Sequence, residues 1–177
     1  LIANPDRRFH VGLWASVTAF MVWSGWRPLD RFTWFLEVAP VFIGSAVLLV
    51  LYPRWRFSRW VCGWMAAHAM VLMIGGHYTY AEVPFFNWLR DAYPLSRNHY
   101  DRLGHVMQGF VPALMAREVF VRKRIVQGKG WLFFLVVCVC LAISASYELF
   151  EWLTAVSTGS RADAFLGAQG DPWDTQW

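Results

Sequence analysis

The chain has 177 residues, of which 57% are hydrophobic and 16% are charged, and its formal net charge at pH 7 is +4. This composition excludes an ordinary water-soluble domain, whose helices would need polar faces that the long apolar segments here lack. We interpret the positive balance as anchoring to anionic lipid and not as nucleic-acid binding. The sequence therefore predicts one integral membrane domain over residues 1–177, with the lipid bilayer as its main partner.

Five apolar segments are long enough to cross a bilayer as helices. In chain order they cover residues 10–26, 35–52, 57–76, 103–121 and 130–153. Each must be helical, because lipid offers the backbone no hydrogen-bond partners. The polar connector after the third segment contains an amphipathic stretch at residues 84–93, which predicts a short helix in the membrane interface. The predicted fold class is an all-α polytopic membrane helix bundle with five visible spans.

The carboxyl-terminal residues predict the start of another helix. Asp171 followed by Pro172 is typical of a helix start, with aspartate as the N-cap and proline at the first helical position. The sequence stops soon afterwards, at Trp177. We therefore expect a sixth span, truncated here after its first residues.

The basic residues indicate which side of the membrane each loop faces. Basic clusters without acidic neighbours lie in the loops at residues 54–59 and 122–129, whereas most acidic residues fall in the loops on the opposite side. Cytoplasmic loops are enriched in lysine and arginine, so we predict a multi-pass protein with a cytoplasmic amino terminus. The side that carries the acidic loops is then the periplasmic side, and we call it the outer face.

Four groups of ionisable residues are predicted to meet at this outer face. They are His77, the pair Asp101 and His105, the pair Glu148 and Glu151, and the pair Asp171 and Asp174. Asp101 and His105 are four residues apart, so one face of a helix carries both. An ionisable side chain facing lipid costs about 2.5–3.5 kcal/mol, so these side chains should face one another and water. We expect them to form a cavity that opens to the outer face.

The residue types in the expected cavity suit two kinds of chemistry. Carboxylates and imidazoles paired across a helix bundle can bind a divalent metal ion. The candidate metal ligands are Asp101, His105, Glu148 and Glu151. Without a metal, the same set can supply an acid and a base for proton transfer.

Positions along the chain suggest a role for each residue. Asp101, His105 and Glu148 are the predicted catalytic residues, because each lies on a helix and can be held rigidly. The residues predicted to bind substrate or to orient this trio are His77, Tyr78, His99, Glu151, Asp171 and Asp174.

The same residues also have structural interpretations. Glu148 and Glu151 can pair with arginines at the rim of the bundle and have no further role. His77 and His99 are alternatively ordinary interfacial residues. His68, alone in the middle of the third span, is expected to hydrogen-bond to a neighbouring helix rather than to bind a ligand.

Four motifs together resemble the YjdF-like family of bacterial inner-membrane proteins. They are HYTY at residues 77–80, NHYDRLGH at 98–105, YELFEW at 147–152 and LGAQGDPWDTQ at 166–176. The resemblance covers most of the chain from the second span onward and implies a six-span protein of the bacterial inner membrane. The pattern of Asp101, Arg102 and His105, followed by a glutamate near a helix end and an acidic turn, is also similar to VanZ-like membrane proteins. These resemblances leave the activity open.

The sequence therefore supports two functional hypotheses. In the first, the protein is a small membrane enzyme or metal-binding protein that acts at the outer face on a lipid-linked substrate. In the second, it is an accessory or structural subunit that packs its spans against other subunits of a larger membrane complex. Metal analysis of the purified protein discriminates between them, because a stoichiometric bound metal favours the first.

Overall fold

The computed structural model describes residues 5–158. These residues form the α-helices α1 (Pro5–Gly25), α2 (Arg31–Leu51), α3 (Arg59–Tyr78), α4 (Pro84–Ala92), α5 (Tyr100–Arg122) and α6 (Lys129–Thr158). A 3₁₀ turn at Tyr80–Glu82 joins α3 to α4, and no strand occurs within this described part of the chain. The prediction of an all-helical fold is confirmed, and each predicted helical segment coincides with one of these helices.

Two helices in residues 5–158, α2 and α6, are long and apolar enough to cross a membrane by length and composition alone. α1, α3 and α5 have 21, 20 and 23 residues. At the rise of an α-helix these lengths correspond to about 30–35 Å, the thickness of the hydrocarbon core of a bilayer. Polar residues within these three helices, among them His68 in α3 and Gln108 in α5, lower their mean hydropathy.

Polar side chains in the loops fix the start of two helices. Asp30 is the N-cap of α2 and accepts a hydrogen bond from the backbone N–H of Thr33 at 2.6 Å. Ser58 is the N-cap of α3 and accepts one from the N–H of Val61 at 3.4 Å. Each cap satisfies a backbone donor that has no partner inside its helix, so each helix begins at a defined residue.

α3 is the central helix of the bundle. It packs against α1, α2 and α5, and α6 packs against α5. Val38, Val41 and Met73 form the buried core between α2 and α3, and Val17 and Phe20 of α1 pack against it. Removing this apolar surface from contact with polar surroundings stabilises the contacts among the first three helices.

The bundle has two ends. The first, which we call the α4 end, contains α4, the starts of α2 and α5 and the end of α3. A hydrogen bond from Leu29 N to His77 O at 2.9 Å joins the α1–α2 loop to the last turn of α3 there. The second, which we call the basic end, contains the ends of α2 and α5 and the start of α3. There the Arg122 guanidinium donates a hydrogen bond to Arg56 O at 2.7 Å.

Asn98 connects the helices at the α4 end. This fully buried side chain donates hydrogen bonds to Val83 O at 3.1 Å and to Asn87 Oδ1 at 2.8 Å, and it accepts one from Tyr100 N at 2.9 Å. The Tyr100 hydroxyl donates in turn to Val71 O of α3 at 2.8 Å. These bonds fix α4 and the first turn of α5 relative to α3, and so they fix the position of Asp101.

Candidate functional site

A polar cavity of about 140 Å³ lies near the α4 end, between α2, α3, α5 and α6. Its polar lining residues are Glu37, His68, Tyr80, Asp101, His105, Gln108, Tyr147, Glu148 and Glu151. Four helices and the 3₁₀ turn contribute these side chains, and prolines and aliphatic residues complete the wall. We call this space the polar cavity.

Four of the residues predicted for the site line the polar cavity, namely Asp101, His105, Glu148 and Glu151. His105 Nε2 lies 3.3 Å from Asp101 Oδ2, one turn apart on α5 as their spacing predicts. The His105 side chain is 41% exposed and that of Asp101 is 18% exposed, so the imidazole is the more accessible partner. The carboxylates of Glu148 and Glu151 lie close enough to act on His105 electrostatically. This arrangement can hold and move a proton between α5 and α6.

Glu37 of α2 belongs to the same cavity, and the sequence analysis did not assign it to the site. Its side chain is only 4% exposed and lies beside the hydroxyl groups of Tyr80 and Tyr147. Asp101 and Glu151 are also near enough to repel it. The available signal was a single carboxylate in the second turn of an apolar helix, where ionisable groups are costly unless they have a function.

Tyr80 enters the cavity because two glycines leave room for its ring. A Cβ atom at Gly75 would overlap the ring, and one at Gly104 would lie 2.9 Å from Cε1 of the ring. Thr79, just before it, has a φ of 58°, a left-handed value that is rare for a β-branched residue. This turn at the end of α3 directs Tyr80 between α3 and α5, with its hydroxyl beside Glu37.

Two polar atoms of residues that line the cavity lack hydrogen bonds. His68 Nε2 and Gln108 Nε2 are buried, and neither has a partner within residues 5–158. His68 Nε2 therefore does not make the interhelical hydrogen bond expected from the sequence among the described residues. A buried polar atom without a partner costs about 1–3 kcal/mol, so both atoms favour a ligand or water that can bond to them.

His77 and Tyr78 do not line the polar cavity. His77 Nδ1 lies 2.9 Å from Ser24 O, and its ring stacks on Trp23 with centroids 4.7 Å apart. Tyr78 contacts the His77 ring edge to face. The helical period explains the difference from our prediction, because residue 77 follows the cavity-lining His68 by two and a half turns and so lies on the opposite face of α3. His77 holds α1 against α3.

His99 lies outside the cavity lining, at the N-cap position of α5. Its Nδ1 is buried and has no hydrogen-bond partner in the described part of the chain. Burial lowers the pKa of His99, and the positive charges of Arg102 and Arg97 lower it further. The imidazole is therefore uncharged at neutral pH, which suits a hydrogen-bonding role better than the binding of an anion.

The remaining predictions concern Asp171, Asp174 and a metal ion. Asp171 and Asp174 lie outside the described residues. Within residues 5–158, no group of three or more His, Cys, Asp or Glu side chains is arranged to hold a metal ion. The described geometry thus gives no support to the predicted metal-ligand set of Asp101, His105, Glu148 and Glu151. Acid–base chemistry is the alternative that the Asp101–His105 pair supports.

Comparison with known proteins identifies the family of the chain. The model of a family described as predicted membrane protein (DUF2238) matches residues 9–177. The chain belongs to this family. It is also 47% identical over 161 residues to inner membrane protein YjdF of Escherichia coli (strain K12), and the alignment covers 91% of this chain and 77% of that protein. No solved structure matches the chain.

These comparisons confirm the resemblance to YjdF-like proteins and identify a DUF2238-family protein of the inner membrane. The surface of α6 is consistent with this location, because large apolar side chains such as Phe133, Leu141 and Trp152 are exposed on it. In a membrane these side chains face lipid at no cost. The polar cavity is the opposite case, because its lining carries several ionisable side chains inside the bundle.

Proposed function

We propose that this DUF2238-family protein crosses the inner membrane with α1, α2, α3, α5 and α6 as five spans and with a cytoplasmic amino terminus. The basic end, which carries Arg56, Arg122 and Lys123, then faces the cytoplasm, as the distribution of basic residues in membrane proteins favours. α4 lies in the outer interface. Its Phe85 and Trp88 are exposed, whereas Phe86 contacts the ring of Tyr100 inside the bundle.

Reporter fusions test this topology. A reporter fused after Gly128 should be active only in the cytoplasm, and one inserted within residues 91–98 should be active only in the periplasm. The two sites lie in loops at opposite ends of α5, so one measurement controls the other. The reverse pattern would overturn both the topology and the placement of the cavity at the outer face.

The polar cavity is, in this proposal, the site of an acid–base reaction on the polar part of a lipid-linked substrate. The observation that supports the proposal is the Asp101–His105 pair facing the α6 carboxylates inside one cavity. Asp101 orients His105 and stabilises its protonated form, and His105 transfers the proton. Glu148 is the second proton-transferring group, on the facing helix.

Four further residues contribute to the proposed site. Glu151 and Glu37 add two further carboxyl groups to the cavity lining. Tyr80 and His68 offer hydrogen-bonding groups to a bound polar headgroup. Glu37, His68 and Glu151 lie on helices and the Tyr80 ring lies between α3 and α5, so the packing of the bundle positions these side chains.

Lipid turnover in nanodiscs tests the proposed reaction. Purified wild-type protein is reconstituted with a total lipid extract of the inner membrane, and the lipid species are followed over time by mass spectrometry. We expect one species to decrease in the presence of the wild type and to stay constant with His105→Gln or Glu148→Gln. His77→Gln is the matched control, because His77 lies outside the cavity and glutamine keeps a hydrogen-bonding group beside Ser24.

The same preparations separate the remaining hypotheses. If no lipid species changes with the folded wild type, the proposed reaction is wrong and the accessory-subunit hypothesis is favoured. Elemental analysis of the wild type and of Asp101→Asn tests metal binding. A stoichiometric metal that the variant loses would restore the metal hypothesis against the described geometry.

A further inference from the structure

An apolar groove of about 770 Å³ runs along the bundle between α2 on one side and α5 and α6 on the other. Leu36, Ala39 and Ile43 of α2 face Met115, Ala116 and Val119 of α5 across it. Its lining is almost entirely aliphatic and aromatic. We call it the apolar groove.

The apolar groove and the polar cavity share part of their walls. Pro40, Pro112, Ile143 and Tyr147 line both spaces, so the two are neighbouring parts of one region. The region is polar towards the α4 end and apolar towards the basic end. A membrane lipid has the same order, with its headgroup at the interface and its hydrocarbon chain towards the middle of the bilayer.

The two shared prolines add hydrogen-bond acceptors at the junction. A proline has no N–H, so Pro40 in α2 and Pro112 in α5 leave the carbonyls of Leu36 and Gln108 without their usual helical donors. Gln108 also has a buried side-chain nitrogen without a partner in residues 5–158. Polar groups of a ligand can therefore bond where the cavity meets the groove.

The charges in the polar cavity select the headgroup. Its described lining includes the carboxylates of Glu37, Asp101, Glu148 and Glu151, and it includes no lysine or arginine. Phosphate groups are usually bound by arginine, lysine or the backbone N–H groups of a helix start. An acidic lining favours a cation instead, and an ammonium group can donate three hydrogen bonds to such carboxylates.

We propose that the polar cavity and the apolar groove together bind a lipid whose headgroup ends in a primary amine. The ammonium group lies between Glu37 and Asp101, and a hydrocarbon chain follows the apolar groove between α2 and α5. This inference rests on the proposed function, since it names the substrate class for the same cavity.

Single-chain probes that differ only in headgroup test the inference, and decylamine and tetradecylamine test its dependence on chain length. Dodecylamine, dodecanol and dodecyl phosphate are titrated below their aggregation limits into the full chain in detergent. Binding is measured from the rise in unfolding temperature, because a ligand that binds the folded state stabilises it. We expect the amine to bind about tenfold more tightly than the alcohol, and the phosphate to bind most weakly. A phosphate that binds as tightly as the amine would overturn the inference.

Variants assign each part of the probe to its part of the site. With Glu37→Gln, the preference for the amine over the alcohol should fall from about tenfold to about threefold, because one of the two carboxyl groups beside the ammonium group is lost and Asp101 remains. With Ala116→Trp or Ala39→Trp, the preference for the amine should remain, but the gain of about threefold to fourfold in affinity per added methylene should disappear. Ala19→Trp on the exposed surface of α1 is the control and should change neither property.

The outcomes separate this inference from the proposed reaction. Tight amine binding without lipid turnover would support the inference and contradict the reaction. Turnover of a lipid without an amine, together with equal binding of the three probes, would overturn the inference alone. An affinity that is independent of chain length in the wild type would show that something other than a lipid chain covers the apolar groove, and it would also overturn the inference.

Discussion

Two regions of the bundle, the basic end and the polar cavity, use polar side chains in opposite ways. At the basic end, Glu118 of α5 accepts hydrogen bonds from Ser58 N at 2.7 Å and from Ser58 Oγ at 2.6 Å, and it pairs with Arg122. In the polar cavity, His68 and Gln108 each have a buried side-chain nitrogen without a partner in residues 5–158. Glu118 thus holds helices together at the basic end, whereas His68 and Gln108 in the polar cavity lower stability and are available to a ligand.

The largest loss of stability is expected from Gly75→Ala, which disrupts the packing of Tyr80 at the α4 end. The added methyl group would overlap the ring of Tyr80 and displace it from its space between α3 and α5. Overpacking of this kind costs about 2–3 kcal/mol of the free energy of unfolding. Thermal unfolding in detergent measures the loss, and near-ultraviolet circular dichroism reports the changed environment of the aromatic rings.

Gly63→Ala on the same helix is the matched control for this change. No atom lies within 4 Å of a Cβ built at Gly63, so the substitution is sterically free. Alanine also favours a helix over glycine by about 0.8–1.0 kcal/mol, so Gly63→Ala should stabilise the protein slightly. Equal effects of the two substitutions would show that Tyr80 does not depend on the space at Gly75.

A smaller loss of stability is expected from Glu118→Ala, which removes the interactions of Glu118 at the basic end. The substitution leaves the Ser58 N–H and the Arg122 guanidinium without their shared acceptor. We expect a loss of about 1.5–2 kcal/mol, the range for hydrogen bonds to a charged group near a surface. Arg117→Ala, an exposed neighbour on α5, should change stability by less than about 0.5 kcal/mol.

The same two variants should also differ in how tightly they bind dodecylamine. Glu118→Ala should leave the binding of dodecylamine unchanged, because Glu118 lines neither the polar cavity nor the apolar groove. Gly75→Ala should weaken it, because Tyr80 lies beside Glu37. Loss of amine binding in Glu118→Ala would contradict the division of roles between the ends.

The sequence predicted those parts of the site that depend on the period of a single helix. Asp101 and His105 lie one turn apart on α5, and Glu148 lies one turn from Glu151 on α6, so each pair shares a face. The cost of charge in lipid then requires both faces to turn inwards. All four residues line one cavity for these reasons. The all-helical fold follows in the same way from the apolar segments and the absence of backbone partners in lipid.

The remaining residues depend on how helices are rotated against one another. Glu37 faces the cavity because Val38 on the same helix packs into the core against Met73. Tyr80 reaches it because glycines at positions 75 and 104 admit its ring. Such tertiary contacts leave no periodic signal in one sequence. His77 illustrates the same limit. Its position in the sequence predicts the α4 end of α3, but the face of α3 that it shares with α1 depends on how the helices are rotated.

Gln108→Leu is expected to change stability least, and it tests whether the polar cavity retains groups that lower stability. The Gln108 side chain lines the polar cavity, and its buried Nε2 has no partner in the described residues. Leucine has a similar volume and removes the unsatisfied group, so we expect the free energy of unfolding to rise by up to about 1 kcal/mol. Gln127→Leu in the exposed loop before α6 is the control and should have no stabilising effect.

At the basic end the corresponding removal of a polar group, Ser58→Ala, should lower stability, because Ser58 Oγ is bonded to Glu118. A gain at Gln108 together with a loss at Ser58 would show that the cavity retains its polar groups at the expense of stability. A loss at both positions would mean that Gln108 is already satisfied in the folded protein, and the polar cavity would then be a structural network like the one at the basic end.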